Sequence, residues 1–296
     1  MELSVIIVSY NVRDFLRQCL YSVKKASEKI ICEIFVVDNN SEDGSVEMIK
    51  NEFPDVFLIA NSVNSGFSAA NNQAIRKSQG RFILLLNPDT IVEKDTFSKC
   101  ISFMDSHADS GATGVRMVNG EGRFLPESKR AFPSLLTAFF KTSGLSFLFP
   151  YSRFFNNYYL PQINCKNTSL TEVISGAFMF IRREAMNKTG LLDEEFFMYG
   201  EDIDLSYRLF RSGYNNYYFP ETSIIHYKGR STARNSFKDI LHFYDAMRIY
   251  VRKRTSEGNY GLFMVFIISA IYLREGLALM NRILRLIFGR QSARVK

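Results

Sequence analysis

The sequence begins with the run Leu3-Ser-Val-Ile-Ile-Val-Ser9, and a second apolar run, Arg81-Phe-Ile-Leu-Leu-Leu86, follows about eighty residues later. Two similar runs, Cys32–Val37 and Val56–Ala60, lie between them, and each interval carries apolar residues at helical spacing. Strands that are apolar along their length are buried on both faces, and parallel strands require crossover helices. The pattern predicts an α/β fold with an open, mostly parallel central sheet flanked by helices.

The composition indicates a folded chain. The 296 residues are 46% hydrophobic and 23% charged, with 27 Phe, 15 Tyr and only 7 Pro, which excludes a disordered or collagen-like chain. The four cysteines form no Cys-x-x-Cys pair, so they predict neither a zinc site nor a disulfide framework. No basic segment or cleavage site accompanies the first apolar run, so we expect a cytoplasmic protein without a signal peptide.

The basic charge is concentrated at the C-terminal end. From Lys228 onward there are 14 Lys/Arg against 4 Asp/Glu, a charge of +10, whereas residues 1–227 hold 23 against 26. A basic tail that also contains apolar stretches suits an anionic membrane surface, whereas nucleic acids are usually bound by basic residues spread over one face. We therefore expect a membrane partner and no nucleic acid.

Polar residues follow each of the four predicted strands. They are Ser9 to Asn11 after the first, Asp38 to Ser41 after the second, Asn64 to Asn71 after the third and Asn87 to Asp89 after the fourth. Turn formation explains any one cluster, but the carboxyl ends of parallel strands meet at one sheet edge, where α/β folds bind ligands. The sequence predicts a ligand site at this edge.

Neither of the common glycine-rich phosphate loops is present in the sequence. There is no Gly-x-Gly-x-x-Gly after the first strand and no Gly-x-x-x-x-Gly-Lys-Ser/Thr. A phosphate ligand would need another counter-charge. Asp89 can supply it by holding a divalent cation, Mg2+ or Mn2+, between its carboxylate and diphosphate oxygens.

Eight motifs occur in order along the chain. They are Ser4-Val-Ile-Ile-Val-Ser-Tyr-Asn11, Val36-Val-Asp-Asn-Asn-Ser41, Asn64-Ser-Gly-Phe-Ser-Ala-Ala-Asn71, Leu85-Leu-Asn-Pro-Asp89, Ser175-Gly-Ala177, Gly190-Leu-Leu-Asp-Glu-Glu-Phe-Phe197, Glu201-Asp-Ile-Asp204 and His226-Tyr-Lys-Gly-Arg-Ser231. Together they resemble the rhamnosyltransferase-like subgroup of family 2 glycosyltransferases, over about residues 3–232. The resemblance implies a GT-A fold that binds a nucleotide-sugar in its first half and an acceptor in its second, with inverting sugar transfer.

The resemblance also implies roles for individual residues. Tyr10 and Asp38 would contact the base and ribose, and a carboxylate at Asp38 can accept the imide N–H of uracil or thymine. The implied nucleotide-sugar site further includes Ser9, Asn11, Asn40, Asn64, Gly66, Asn71, Asn87, Asp89, Ser175 and Gly176. Turn capping is the alternative for Asp38, and an ordinary polar helix position is the alternative for Asn71.

Asn87-Pro88-Asp89 occupies the position of the Asp-x-Asp metal motif of the family, with asparagine in place of the first aspartate. One carboxylate fewer is expected to weaken metal binding, which leaves Asp89 as the main ligand and Asn87 as a ribose or indirect contact. His226, after the predicted strand 222–225, corresponds to a second metal ligand. A structural hydrogen bond is its alternative role.

Asp202 corresponds to the catalytic base of the family, which removes the proton of the acceptor hydroxyl. Glu201 and Asp204 are expected to support it or to contact the acceptor, although acids also favour the first turn of any helix. Residues 124–165, which begin near Lys129 and Arg130, are expected to contain an acceptor loop.

The C-terminal segment is predicted to be a basic, amphipathic helical tail. Ser236 can cap a helix that ends in Arg252-Lys-Arg254, and the stretch from Gly258 to Leu273 is uncharged over 16 residues, fewer than the ~20 of a spanning helix. The later arginines resemble the polar side of an interfacial helix. Docking on the preceding domain, or a contact between copies of the chain, are the alternatives.

We therefore divide the chain into a GT-A domain, 1–235, and the tail, 236–296. Within the domain, 1–117 would bind the nucleotide-sugar, and 118–235 would bind the acceptor and carry the base. The leading hypothesis is an inverting, metal-dependent transferase at the inner face of the cell membrane, which moves a sugar, with rhamnose as the candidate, to a lipid-linked or polysaccharide acceptor. A catalytically silent nucleotide-sugar-binding protein and a nucleotidyltransferase are the alternatives.

Overall fold

The computed structural model describes residues 1–133, 148–149, 152, 157–228, 236–255 and 261–292. The strands in these residues are β1 (Leu3–Ser9), β2 (Cys32–Asp38), β3 (Phe57–Ala60), β4 (Phe82–Leu86), β5 (Thr90–Val92), β6 (Ser110–Val118), β7 (Ser169–Thr171), β8 (Phe178–Arg182) and β9 (Asn215–His226). The helices are α1 (Arg13–Ser27), α2 (Ser45–Glu52), α3 (Phe67–Ile75), α4 (Thr96–Ser106), α5 (Arg183–Thr189), α6 (Glu201–Arg211), α7 (Phe237–Thr255) and α8 (Gly261–Ser292).

One mixed sheet forms the centre of the molecule. Its order is β3-β2-β1-β4-β8-β6-β9-β5, and β7 pairs with β9 outside this path. The α/β class predicted from the sequence is confirmed. β1 to β4 are parallel to one another, whereas β8 runs antiparallel to β4 and to β6, so the parallel pairings lie mainly in the first part of the sheet.

The apolar runs of β1, β2 and β4 are buried on both faces, as the sequence predicts. The run of β3, at the edge of the sheet, is not, and its Phe57 is 55% exposed. Val5 and Ile7 of β1 belong to a core with α1 and α4, whereas Ile6 and Val8 belong to a second core with α3 and α6. Successive strand residues point to opposite faces, so an uninterrupted apolar strand supplies both cores. This double burial holds the carboxyl ends of the parallel strands in a fixed register.

One strand boundary differs from the sequence prediction. The strand expected at 222–225 is part of the longer β9, which pairs with β5, β6 and β7. The short β7 ends at Thr171, and Val173 then forms a bridge with Arg130. The expected acceptor loop, 124–165, lies partly outside the described residues, and the motif end, 229–231, lies wholly outside them.

The helix predicted after Ser236 is present, and the Asp239 N–H donates to Ser236 Oγ at 3.0 Å. Its basic end is paired with acids of the preceding domain. Lys253 Nζ lies 2.5 Å from Asp193 Oδ2, and Arg254 Nη2 lies 3.0 Å from Asp204 Oδ1. Of the alternatives for the basic cluster, the structure favours docking on the domain.

Helix α8 packs on α7. Arg248 Nη1 lies 2.5 Å from Glu275 Oε2, and Ile271 of α8 is buried. Within the described residues, the segment Met264–Leu286 is the one helical stretch whose length and composition meet those of a membrane-crossing helix, with a mean hydropathy of 1.4. This segment extends beyond Leu273, where the uncharged stretch predicted from the sequence ends, because it continues past the charged residues Arg274 and Glu275.

Candidate functional site

The polar residues that follow β1 and β2 lie side by side at one edge of the sheet. Ser9 is paired with Asp38 in register, and the Asn39 N–H donates to Ser9 O at 2.8 Å. Ser9 and Asp38 are buried, and neither Ser9 Oγ nor Asp38 Oδ2 has a hydrogen-bond partner among the described residues. Buried polar atoms are nearly always paired, so these two atoms have capacity for a ligand.

Asp38 also caps the turn that follows β2. Its Oδ1 accepts a hydrogen bond from Ser41 N at 2.9 Å, and Ser41 Oγ accepts one from Asn11 N at 2.9 Å. Asn11 and Asn40 have φ of 54° and 69°, a conformation that asparagine tolerates better than most residues. Turn capping therefore uses one oxygen of Asp38 and leaves the other available. Tyr10 is exposed beside this turn.

The loop after β3 is joined to the segment that precedes α6. Asn64 Oδ1 accepts from Gly66 N at 3.0 Å, and Asn39 Nδ2 donates to Gly66 O at 3.1 Å. Gly66 has φ of 85°, and a Cβ at this position would lie 2.6 Å from Phe197 O. Only glycine fits such an approach of two backbones.

Asn71 lies within α3 and is buried. Its Nδ2 donates to Phe67 O of the same helix at 2.9 Å. This hydrogen bond fits the structural alternative that the sequence left open. The next residue, Asn72, joins α3 to the acceptor half, because its Nδ2 and Oδ1 pair with the backbone of Leu192 at 2.8 and 3.1 Å.

Asp89 and His226 are brought together by strand pairing. Thr90 of β5 lies opposite His226 of β9, and His226 Nε2 is 3.3 Å from Asp89 Oδ1. Both residues are buried, and His226 Nδ1 has no hydrogen-bond partner among the described residues. These are the two residues that the family resemblance implies as metal ligands.

The donor chemistry at this pair fits a divalent cation that takes its remaining ligands from substrate and water. A carboxylate oxygen and an imidazole nitrogen both bind Mn2+, and Mg2+ commonly uses one or two carboxylates together with phosphates. Within the described residues there is no group of three His, Cys, Asp or Glu side chains that could hold a metal. A complete protein cage is therefore not found in that part of the chain.

Residues 175–177 connect the end of β4 to the predicted base. The Asn87 N–H donates to Ala177 O at 3.1 Å, and the Gly176 N–H donates to Asp202 Oδ2 at 3.1 Å. A Cβ on Gly176 would lie 3.5 Å from Asp202 Cβ and 3.8 Å from Phe67, so the backbone there is close to both halves of the site. Ser175 Oγ accepts from Ala177 N at 3.3 Å and shapes this turn.

Asp202 lies at the N-terminal end of α6 and is paired with a cation. Arg130 Nη2 is 2.5 Å from Asp202 Oδ2, and the two side chains are 12% and 14% exposed. The Ile203 N–H donates to Asp202 Oδ1 at 2.8 Å. The predicted base is therefore held by a guanidinium and two backbone N–H groups.

Glu201, beside Asp202 in sequence, is in a different electrostatic environment. Burial, followed by the negative charge of Asp202, raises the pKa of Glu201 to about 8. Its Oε2 has no hydrogen-bond partner among the described residues. At neutral pH this carboxyl is therefore largely protonated, because desolvation disfavours the charged form.

Asp204 serves the fold. Its Oδ2 is 2.8 Å from Arg208 Nε, and its Oδ1 is 3.0 Å from Arg254 Nη2 of α7. The acid is buried between two cations, so it joins α7 to α6. The sequence places Asp204 two residues after the predicted base, but it carries no sign of the partner Arg254, fifty residues later.

Arg130 is the site residue whose role the sequence did not predict. The sequence indicates only that Arg130 lies near the start of an expected acceptor loop, and its carboxylate partner, Asp202, is 72 residues away. A lone arginine in an irregular segment carries no local signal of such a pairing. The hydrogen bond from Asn39 to Gly66 is likewise not predicted by the sequence, although Asn39 lies inside the motif 36–41.

Two family models match the chain. The model described as "Glycosyl transferase family 2" matches residues 4–190, and the model described as "Glycosyltransferase (GlcNAc)" matches residues 128–257. The first covers more than half of the chain and contains both Asp38 and Asp89. The second contains Arg130, Asp202 and His226.

Among curated proteins, the chain is similar to two rhamnosyltransferases. An N-acetylglucosaminyl-diphospho-decaprenol L-rhamnosyltransferase of Mycobacterium tuberculosis is 25% identical over 265 residues, which cover 86% of this chain and 85% of that protein. Rhamnosyltransferase WbbL of Escherichia coli is 27% identical over 263 residues, which cover 84% of this chain and 93% of that protein.

Two solved structures support the same fold. Residues 1–349 of TarS from S. aureus, in complex with UDP, give a TM-score of 0.57 at 19% identity over 85% of this chain and 64% of that chain. The mannosyltransferase PcManGT from Pyrobaculum calidifontis, in complex with GDP-Man and Mn2+, gives 0.60 at 16% identity over 98% of this chain and 75% of that chain.

The raised pKa of Glu201 predicts a pH-dependent stability. The folded state keeps the Glu201 proton up to about pH 8, whereas the unfolded state loses it near the ordinary value of 4.5. The free energy of unfolding is therefore expected to fall between these pH values, by roughly 1.4 kcal/mol per pH unit over which the states differ by one proton. Glu201→Gln should remove this slope in urea titrations at pH 5 to 8.

Glu184→Gln, the same change at an exposed position of α5, is the matched control and should follow the wild-type slope. Parallel stability curves for wild type and Glu201→Gln would contradict the assignment of a protonated Glu201.

Proposed function

Because the chain belongs to glycosyltransferase family 2, we propose that it transfers a sugar from a nucleotide-diphosphate sugar to a lipid-linked or polysaccharide acceptor, with inversion. The observation that carries the proposal is the position of Asp202. Its carboxylate accepts a hydrogen bond from the Gly176 N–H. Ala177, in the same backbone turn, accepts one from the Asn87 N–H at the proposed nucleotide edge. Rhamnose is the proposed sugar, because the two curated relatives are named rhamnosyltransferases and align with this chain over 85% and 93% of their own length.

In this proposal, Asp202 accepts the proton of an acceptor hydroxyl as its oxygen bonds to the anomeric carbon. The bond from that carbon to the diphosphate breaks in the same step, so the configuration inverts. The apolar segment before α6 contains the buried Phe196, which limits the access of water to the base. Exclusion of water also favours attack by the acceptor over hydrolysis.

The nucleotide would be bound at the edge formed by β1 and β2. Asp38 Oδ2 and Ser9 Oγ have the unused hydrogen-bonding capacity, and Tyr10 offers an exposed ring for contact with a base. A carboxylate oxygen accepts the imide N–H of uracil or thymine, which favours these bases. The division into a nucleotide half, 1–117, and an acceptor half, 118–235, follows from this placement.

Asp89 and His226 are the residues that would hold a divalent cation, Mg2+ or Mn2+. Such a cation neutralises the negative charge that develops on a leaving diphosphate. Asn87, which replaces a second carboxylate, contributes an amide at the same edge and keeps this protein site less anionic. The burial of Asp89 fixes the carboxylate in place.

We further propose that the protein is peripheral on the inner face of the cell membrane and that α8 makes the contact. Phe266, Leu273, Leu277, Met280 and Leu284 fall within about 60° on a helical wheel of 100° per residue. All five are exposed, Phe266 by 71% and Leu273 by 67%, on the side opposite the contact with α7. We call these five side chains the apolar stripe.

The apolar stripe, and not the basic cluster 252–254, is the proposed source of membrane affinity. The cluster forms ion pairs with Asp193, Glu195 and Asp204, so its charges are already neutralised by the domain. Arg274 and Arg285 lie to one side of the stripe on the same wheel and would contact lipid headgroups. Arg248 and Glu275 join α8 to α7, and the exposed stripe suits the role of an interfacial helix.

Asp202→Asn tests the proposed base. We expect turnover to fall about a hundredfold or more, because general-base assistance contributes on this scale. Donor binding should be nearly unchanged. The measurement is transfer of radiolabelled sugar from a panel of nucleotide-sugars to a polyprenyl-diphosphate-sugar acceptor.

Asp193→Asn, an acid of the neighbouring segment whose partner is Lys253, is the control and should retain most of the activity. Normal turnover by Asp202→Asn would remove Asp202 from its role. Donor binding without transfer by the wild type, across all donors and acceptors tried, would favour the catalytically silent alternative.

Asp89→Ala tests the metal site. We expect it to abolish the stabilisation that Mn2+ and donor together give in a thermal-shift assay, because bound ligand stabilises the fold by mass action. Asn87→Asp should keep that stabilisation or strengthen it. Asp55→Ala, an exposed acid paired with Lys24, should behave as wild type. Wild-type donor binding by Asp89→Ala with Mn2+ present would exclude this site.

Leu273→Glu tests the apolar stripe. A charge at this exposed position should release the protein from liposomes that contain anionic lipid, because it would have to enter the apolar interface. Flotation of the wild type should persist in high salt, since buried apolar area is not screened. Asn281→Glu adds the same charge to an exposed polar position of α8 and should still float. Equal flotation of Leu273→Glu and wild type would contradict the assignment.

A further inference from the structure

Arg130 is fixed in place by its own backbone. The Val173 N–H donates to Arg130 O at 2.9 Å, and Arg130 N lies 3.2 Å from Thr171 Oγ1. Its neighbour Lys129 is buried, and Lys129 Nζ donates to Leu160 O at 2.6 Å. The segment is therefore fastened on both sides, so the guanidinium approaches the base from a rigid support.

The guanidinium reaches three groups from this support. Its Nη2 donates to Asp202 Oδ2 at 2.5 Å and lies 3.4 Å from Ile174 O, and its Nη1 lies 3.3 Å from the hydroxyl of Tyr158. Arginine presents its donors in a planar fork of fixed geometry. The contact with Asp202 is consequently directional as well as electrostatic.

The two oxygens of Asp202 differ in the number of donors that they meet. Oδ2 accepts from Arg130 Nη2 and from Gly176 N, whereas in the part of the chain that the structure describes Oδ1 accepts only from Ile203 N. A carboxylate oxygen has about two lone-pair sites. Oδ2 is thus saturated by protein donors, and Oδ1 keeps one lone pair.

We propose that Arg130 is the positioning residue of the base: it saturates Oδ2, supplies the opposite charge in contact with the carboxylate and leaves Oδ1 as the atom that receives the acceptor proton. The inference rests on the proposed function. In the step, the acceptor O–H bond breaks, its proton passes to Oδ1, and the acceptor oxygen forms the bond to the anomeric carbon. The electron pair of the breaking glycosyl bond leaves with the diphosphate.

The charges around Asp202 explain why a cation is needed there. Glu201 adjoins it on α6, Arg130 faces it from the segment after the turn at Pro126–Ser128, and Tyr158 faces it through Arg130. Among the described residues, Arg130 is the cation in contact with Asp202. An opposite charge within about 4–6 Å favours the ionised form of a carboxyl.

The test compares Arg130→Gln, which removes the charge, with Arg130→Lys, which keeps the charge and removes the fork. For Arg130→Gln we expect kcat to fall about 10- to 100-fold with the donor KM unchanged, a loss within the range of general-base assistance. The acid limb of its pH–rate profile should move upward by about one to three pH units, as expected for loss of an opposite charge. Arg130→Lys should lower kcat but keep the wild-type acid limb.

Lys129→Met is the matched control, because it loosens the same segment without touching Asp202. Its acid limb should superimpose on that of the wild type. A purely structural role of Arg130 predicts the same behaviour for all three variants, and a wild-type acid limb in Arg130→Gln would overturn the proposal. If Arg130→Gln does not fold, as judged by near-ultraviolet circular dichroism, wild-type kcat in Arg130→Lys would overturn it.

Different results would contradict the proposed function and the inference on Arg130. Full activity of Asp202→Asn would end the proposed function and this inference together. An inactive Asp202→Asn beside an Arg130→Gln whose acid limb has not moved would overturn the inference alone.

Discussion

The return of β8 alongside β4 is the constraint on which the site depends. The chain leaves the nucleotide edge after β4 and comes back about ninety residues later, antiparallel, so that Ala177 accepts the Asn87 N–H. This pairing places Gly176 within reach of the strand ends on one side and of Asp202 on the other. The proposed nucleotide edge and the proposed base therefore share one backbone turn. The register of two buried strands, and not a flexible loop, sets their separation.

Two adjacent acids at the start of α6 are placed in opposite conditions. Burial and the charge of Asp202 raise the pKa of Glu201, so Glu201 keeps its proton at neutral pH, whereas Asp202 meets Arg130 and two backbone donors. A neutral Glu201 adds no second negative charge beside Asp202. The same helix also carries Asp204, which pairs with Arg208 of its own helix and with Arg254 of α7. One helical turn thus carries both the proposed base and the ion pair that attaches the tail.

The sequence predicted the parts of the fold that local pattern determines. Val5 to Val8 of β1 indicated burial on both faces, and Ser236 indicated a helix start, because each depends on near neighbours. The pairing of Asp89 with His226 could be expected only through the family resemblance, since β5 and β9 meet across more than a hundred residues. The contacts of Arg130 with Asp202 and of Arg254 with Asp204 were not predicted. Single basic residues carry no pattern that names a distant partner.

The attachment of α8 has a geometric consequence for the substrate. A helix of 32 residues is about 48 Å long, and it is held against α7, which is itself held by ion pairs to the segment 193–204. In the proposed membrane contact, a rod of this length would leave the body free only to rotate about the rod axis. The distance between the proposed base and the lipid would then change only through this rotation, which restricts the acceptor hydroxyls that the site can reach.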